Sequence, residues 1–316
     1  MHIDKTSINQ SAKQILSEVR RVVSGKDQVL LWTVATMLAG GHILLEDIPG
    51  VGKTTMAVAF SKVLGLSYNR VQFTPDVLPS DVTGFTVLDQ ATGEMTYKKG
   101  AILCNLFLAD ELNRATSRTQ SALLEAMEEN QVTVDGVSHP IPQPFMVIAT
   151  QNPTGAAGTQ LLPDSQMDRF TIRLSLGYPK PEDEKDMVMN RLQGNPMHTL
   201  MPVHTAQQLQ QLQLQVAQTH VSEVIVEYIV SLIHATRNHP QIARGASPRA
   251  TLSVTAMAKA IAQLNGRDYV IPKDVREVFL RCIGHRLLLT TEAEANTTPE
   301  QILQNILDSV SAPQIK

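Results

Sequence analysis

The spacing of apolar positions changes character near residue 180 of the chain. Before it, short apolar runs alternate with longer segments of helical period: "HILLE" (42–46), "YNRVQF" (68–73), "NLFLAD" (105–110), "FMVIAT" (145–150) and "FTIRLSL" (170–176). Nearly continuous apolar runs between helices are the pattern of strands buried on both faces of a parallel sheet. "KTTMAVAFSKVL" (53–64), closed by Gly65, reads as a helix, as do segments within 15–39 around Gly25. Two stretches read as hairpins instead. "VTVDGVSH" (132–139) sets Asp135-Gly136 between alternating arms, and "GFTVLDQATGEMTYKKG" (84–100) carries a longer turn ending at Gly93. After "GYPKPEDE" (177–184) the pattern is helical throughout, at 182–192, 205–219, 221–237, 248–264 and 272–288. Even the glutamine-rich "QQLQQLQLQ" keeps Leu209, Leu212 and Val216 on one helical face. The expectation is an α/β domain over 1–180, its five-stranded parallel sheet sandwiched by helices, and an all-α domain over 181–316.

Composition narrows the setting. The chain has 316 residues, 43% hydrophobic and 18% charged, with a net charge of −3, so no basic excess marks nucleic acid or anionic lipid as the partner. Cys104 and Cys282 match no metal or redox spacing. The N-terminal "MHIDKTSINQ" lacks the apolar core of a signal peptide. The most apolar run, 29–45, is broken by Gly40-Gly41-His42 and falls short of the ~20 residues of a membrane span. These features point to a cytoplasmic protein without a membrane-spanning segment.

The chemistry is carried by strand ends. "HILLEDIPGVGKTT" (42–55) closes as a phosphate-binding loop does, on Gly52-Lys53-Thr54, but has Asp47 where the strict pattern G-x-x-x-x-G-K-[ST] has its first glycine. Gly50 and Gly52 let backbone N–H groups converge on phosphate oxygens, Lys53 offers a point charge to the β- and γ-phosphates, and Thr54 is placed to ligate Mg²⁺. "NLFLADE" puts Asp110 and Glu111 at the C-terminal end of a buried strand, where open α/β sheets bind ligands. Asp110 would hold Mg²⁺, and Glu111 would orient or deprotonate an attacking water. "FMVIATQN" ends on Asn152, an amide able to hold that water near a γ-phosphate. In "GASPRATL", Ser247 caps a helix with Pro248 at its first position, so Arg249 sits in a first turn whose dipole disfavours a cation. An external anion such as a nucleotide phosphate would offset that cost; a solvated arginine is the alternative. Arg169, in "SQMDRFTI", could reach a neighbouring subunit's γ-phosphate, or pair with Asp164 or Asp168. A carboxylate ~10 Å from a phosphate charge costs about 1–2 kcal/mol at an effective dielectric of 20. Asp47 is therefore expected to turn from the nucleotide and brace the strand end through backbone or cationic hydrogen bonds.

In this order these motifs resemble an AAA+ ATPase of the P-loop NTPase class. The blocks "LLEDIPGVGKTTMA", "VQFTPDVLPSDVTGF", "ADELNRATSRTQSALLEAMEENQVTVDG", "VIATQNPTGAAGTQLLPDSQMDRF" and "GASPRATL…GRDYVIPKDV" resemble the MoxR family over about 10–290. The resemblance implies Walker A at Lys53 and Thr54, with Pro49, Gly50, Val51, Gly52 and Thr55 beside them, and Walker B at Asp110 and Glu111. It further implies sensor 1 at Asn152, sensor 2 at Arg249, an arginine finger at Arg169, and adenine near Val23 and Gly25. The segment of about 76–100 would be the helix-2 insert, 131–142 the pre-sensor-1 hairpin, and 181–316 the lid. ATP/ADP and Mg²⁺ are the implied cofactors. A homo-oligomeric, commonly hexameric ring is the implied assembly, with chaperone-like remodelling or maturation of client protein complexes, often metalloenzymes, and partners carrying von Willebrand factor A domains. Leu112 stands in "DELNRA" where isoleucine is usual, a conservative exchange. A DNA-handling ring is the alternative, because helicase-loading and minichromosome-maintenance proteins share both hairpins; here Lys98, Lys99 and His139 supply only modest positive charge. A small-molecule kinase fits less well, since Asp110-Glu111 and the sensors come with no separate acceptor domain.

Overall fold

The computed structural model describes residues 7–91, 93–152 and 162–314. Five parallel strands form the central sheet: β1 (Ile43–Glu46), β2 (Tyr68–Gln72), β5 (Leu106–Asp110), β8 (Met146–Gln151) and β9 (Ile172–Leu174), in the order β2-β5-β8-β1-β9. β9 is shorter than the apolar run that announced it, because after Leu174 the chain turns along the side chain of Asp47. Two antiparallel hairpins stand outside the sheet, β3 (Gly84–Leu88) with β4 (Met95–Lys99) and β6 (Gln131–Val134) with β7 (Val137–Pro140). At the second tip Asp135 and Gly136 both have positive φ, 51° and 77°, as a type I′ turn demands.

The helices α1 (Ile8–Arg20), α2 (Asp27–Leu38) and α3 (Lys53–Val63) cover one face of the sheet, and α4 (Pro79–Thr83) and α5 (Ser117–Glu129) contribute to the other. Alternation along β1 shows the division: Ile43 and Leu45 join the first core, Leu44 the second. α2 is apolar nearly all round because it is buried between α1 and the C-terminal helices, and no described helix is long and apolar enough to cross a membrane.

Beyond the short α6 (Asp164–Met167) the helices are α7 (Pro181–Leu192), α8 (Ala206–Ala217), α9 (Glu223–Arg237), α10 (Pro248–Leu264), α11 (Pro272–Ile283), α12 (Thr291–Glu294) and α13 (Pro299–Ser309). Leu209, Leu212 and Val216 of the glutamine-rich segment are buried, as their spacing requires. This region also holds a two-stranded ribbon, β10 (Ile242–Arg244) with β11 (Leu288–Leu289), where only helix was expected. Strands of two or three residues are too short to leave a period in the sequence. The same brevity hid α4, and α11 gives way at Gly284 to a 3₁₀ turn instead of continuing to 288.

One histidine orients the sheet relative to α5. Val147 N–H donates to His42 Nδ1 at 3.0 Å, and Nε2 lies 3.4 Å from the Met127 carbonyl near the end of α5. Burial holds the His42 pKa down to about 4, so the ring is the neutral Nε2–H tautomer. The C-terminal end of α5 is thereby fixed at the edge of the sheet where the strands begin.

Candidate nucleotide site and its distant arginines

The loop after β1 runs into α3 through Gly50 and Gly52, at φ 86° and 98°. This left-handed backbone suits glycine and turns successive N–H groups toward one concavity. A cavity of about 370 Å³ lies there, lined by Pro49, Gly50, Gly52, Lys53, Thr54, Thr55, Arg70, Gln72, Asp110, Glu111 and Asn152. Lys53 is buried, and its ammonium donates to the carbonyls of Asp47 (2.8 Å) and Ile48 (3.2 Å). Burial lowers its pKa, opposed by the charges of Asp47, Asp110 and Glu111. Val51 instead packs on the core beneath the loop.

Asp47 turns away from this cavity. Its carboxylate accepts hydrogen bonds from Ser175 Oγ (2.8 Å), Leu176 N (2.6 Å) and Gly177 N (2.9 Å), and it is buried. The carbonyls of the same three-residue turn, Leu176, Gly177 and Tyr178, are capped by the Lys26 ammonium at 2.7, 3.0 and 2.8 Å. The carboxylate therefore anchors the chain leaving the sheet through two backbone N–H groups and the Ser175 hydroxyl, and among the described residues no cation donates to it. Asp47→Ala should leave the buried Leu176 N–H and the half-buried Gly177 N–H without their partner, at up to about 1–3 kcal/mol each. We expect a melting temperature lowered by several degrees with nucleotide affinity changed only a few-fold, as thermal scans and calorimetric titration would measure.

At the end of β5, Asp110 Oδ1 accepts from Thr150 Oγ1 (2.7 Å) and Oδ2 from Arg70 Nη2 (2.7 Å) and Nε (3.2 Å). Glu111 follows with φ 56°, a left-handed conformation costly for a residue with a Cβ, held by its N–H donating to Thr150 Oγ1 at 2.8 Å. Its carboxylate accepts from Arg114 Nη1 (2.8 Å) and lies 3.4 Å from Asn152 Nδ2. Asn152 Oδ1 is buried without a protein partner among the described residues, a free acceptor for a water beside Glu111. Hard oxygen donors from Asp110 and Thr54 in one cavity fit Mg²⁺, which takes one or two protein oxygens and otherwise keeps water and phosphate.

A second cavity, of about 580 Å³, adjoins the first through Thr54 and Thr55. Val22, Val58, Met187, Val188, Leu192, Pro196 and Met197 give it a largely apolar lining suited to a heteroaromatic base. Val23 is buried beside it, and Gly25, at φ 72°, has the Asp183 carboxylate where a Cβ would lie. The contribution of α7 was invisible in sequence, because its apolar residues follow no strand or loop signal.

Arg169 and Arg249 lie elsewhere. Both reach Glu128 at the end of α5, Arg169 Nη2 at 3.2 Å and Arg249 in close contact; Arg249 also lies 4.0 Å from Asp168. Ser247 caps α10 as its position implied, so the anions facing that first turn are Glu128 and Asp168 of the same chain. Arg169 pairs with neither Asp164, which takes Arg244, nor Asp168, which takes Ser247 and Arg286. Arg169 precedes the start of β9, and Thr171 N bonds to the His42 carbonyl before β1. Because β9 runs parallel to β1, the two arginines occupy the opposite end of the strands from the loop, a full strand of roughly 13 Å away at ~3.3 Å per residue.

The comparisons agree with this architecture. Residues 42–172 match the model of the ATPase family associated with various cellular activities (AAA), and 234–306 match the AAA lid domain. An uncharacterised Bacillus subtilis protein, YeaC, is 43% identical over 94% of this chain and 93% of its own length. The Mycobacterium tuberculosis chaperone MoxR1 is 39% identical over 96% of this chain and 82% of its own length. A solved structure from Cytophaga hutchinsonii, assigned as an ATPase, superposes with a TM-score of 0.91 at 36% identity, covering 97% of this chain and 96% of that one. With a loop, an acidic strand end and a helical lid in one arrangement, this chain belongs to the MoxR family of AAA+ ATPases.

Proposed function

We propose that the protein is a subunit of a cytoplasmic, homo-oligomeric ring, a hexamer, that hydrolyses ATP at sites shared between neighbours to remodel or mature client protein complexes. One observation carries the reading: the loop cavity and the arginine pair lie at opposite ends of the strands of one sheet. A single chain cannot bring Arg169 or Arg249 to its own nucleotide, whereas a head-to-tail neighbour presents that end of its sheet to the next loop. Both arginines then act in trans, exchanging Glu128 for phosphate.

Within one site, the loop N–H groups and Lys53 hold the phosphates, leaving the Asp47 and Ile48 carbonyls for the nucleotide. Thr54 and Asp110 would hold Mg²⁺, which supplies charge neutralisation on the phosphates. Glu111 accepts the proton of the attacking water, and Asn152 orients that water from its free oxygen. Arg169 and Arg249 of the neighbour neutralise the charge that develops as the terminal phosphate leaves.

One MoxR relative is called a chaperone, which favours protein clients over a DNA role; metalloenzymes among those clients and a partner with a von Willebrand factor A domain belong to the same proposal. Of the hairpin residues that a DNA role would call on, His139 is stacked on Tyr97 at 3.6 Å between ring centroids, tying the two hairpins together. Phe85, Leu88, Met95 and Val137 on the same hairpins are exposed apolar residues, the chemistry of a protein-binding surface. Turnover per subunit should rise steeply with protein concentration until assembly saturates. Concentration-independent turnover of a species that light scattering shows to be monomeric would refute the shared site.

A further inference from the structure

Arg70 has no part in the motifs that identify the site, yet it lines the same cavity as Lys53, Thr54 and Glu111. It lies on the edge strand β2, where alternation puts Arg70 and Gln72 on one face, and the register sets Gln72 opposite Asp110. Its Nε and Nη2 both reach Asp110 Oδ2, and Nη2 also donates to Gln72 Oε1 at 2.7 Å. With Thr150 on Oδ1, both oxygens of Asp110 are engaged, and the guanidinium stands where a metal cation would compete.

We infer that Arg70 is a sensor of the γ-phosphate acting within its own subunit: its guanidinium neutralises Asp110, and would transfer to the γ-phosphate where Asp110 holds Mg²⁺. This rests on the nucleotide-site reading above. Three features carry it. The Arg70 side chain is 42% exposed, and an ion pair that open to solvent contributes only about 0–1 kcal/mol, so it is readily exchanged. A guanidinium released from Asp110 stays tethered inside a cavity whose other polar groups are arranged for phosphate, and its planar fork matches phosphate oxygens. Gln72 can hold the guanidinium plane on the strand face during the exchange, keeping it aimed into the cavity. The consequence is selectivity: a diphosphate offers Arg70 no γ-phosphate to grip, whereas a triphosphate does. β2 also leads directly into Phe73, whose N–H bonds the Asp110 carbonyl at 2.8 Å, and then toward α4 and the first hairpin, so the exchange occurs at the root of that insert.

The test is calorimetric titration of the full chain and its Arg70→Gln and Arg70→Lys variants with ADP and with a non-hydrolysable ATP analogue, each with Mg²⁺. Loss of a charge-assisted phosphate contact corresponds to about 10–100-fold. Arg70→Gln should weaken the analogue by that factor while ADP affinity stays within about threefold, and Arg70→Lys should fall between. At saturating ADP, Mg²⁺ should bind Arg70→Gln several-fold more tightly than wild type, because its competitor for Asp110 is gone. Equal weakening of both nucleotides, or an unchanged ratio between them, would overturn the sensor role and leave the nucleotide site standing. A wild-type chain that binds neither nucleotide would overturn the site reading and the sensor together.

Discussion

Arg169→Ala should cut ATP turnover by about 10³–10⁵-fold, the range for an arginine that stabilises phosphoryl transfer in trans, with nucleotide affinity nearly unchanged. The split of effects follows from position. Arg169 lies at the edge of the sheet where β9 starts, on Glu128, and makes no contribution to the cavity around Lys53. Its side chain is 28% exposed and its Nε lacks a protein partner among the described residues, so truncation removes little of the fold. A mixing experiment separates trans from cis action. Subunits carrying Arg169→Ala keep an intact Glu111, and subunits carrying Glu111→Gln keep an intact Arg169. If the site is shared, combining two inactive proteins restores ADP release at interfaces that pair the two intact halves. If Arg169 serves its own subunit, the mixture stays as inactive as its parts.

Glu111→Gln should lower turnover by about 10²–10⁴-fold, the usual contribution of a positioned general base, while retaining ATP. The amide can still accept from Arg114 and remain beside Asn152, so the local geometry survives, but it cannot take the water's proton. The lost charge on a pair whose arginine is 38% exposed costs at most about 1 kcal/mol, so the melting temperature should move by only a few degrees. With hydrolysis blocked and the phosphate retained, the assembled ring should accumulate with ATP in size-exclusion chromatography with light scattering. Turnover within a few-fold of wild type would remove Glu111 from the role of base.

How far these roles were legible depended on how local their signal is. Asp110 and Glu111 could be placed because a run of buried strand residues followed by two acids leaves only the strand end for the charges. The hairpin at Asp135-Gly136 could be placed because two adjacent positive φ angles restrict the residue types that fit. Arg70 and Arg114 left no such trace: each is one arginine in a polar neighbourhood, and its meaning comes from carboxylates on Asp110 and Glu111. The apolar wall that α7 gives the second cavity was equally hidden, since Met187, Val188 and Leu192 resemble any amphipathic helix until the chain folds back over Thr54 and Thr55.

Asp47 shows both sides of this division. Its place in "LLEDIPGVGKTT" broke the strict phosphate-loop pattern, and electrostatics alone required it to face away from the nucleotide. That it would hold the N–H groups of Leu176 and Gly177, with Lys26 capping the carbonyls of the same turn, depended on β9 lying beside β1. By itself the sequence determined the parallel sheet, the helical region after it, the loop, the acids and the amide, because periodicity, turn chemistry and strand ends act over a few residues. Only the tertiary structure decided that Arg169 and Arg249 stand a strand's length from the loop and share Glu128, because strand order and the path of α5 depend on packing between residues far apart in the chain.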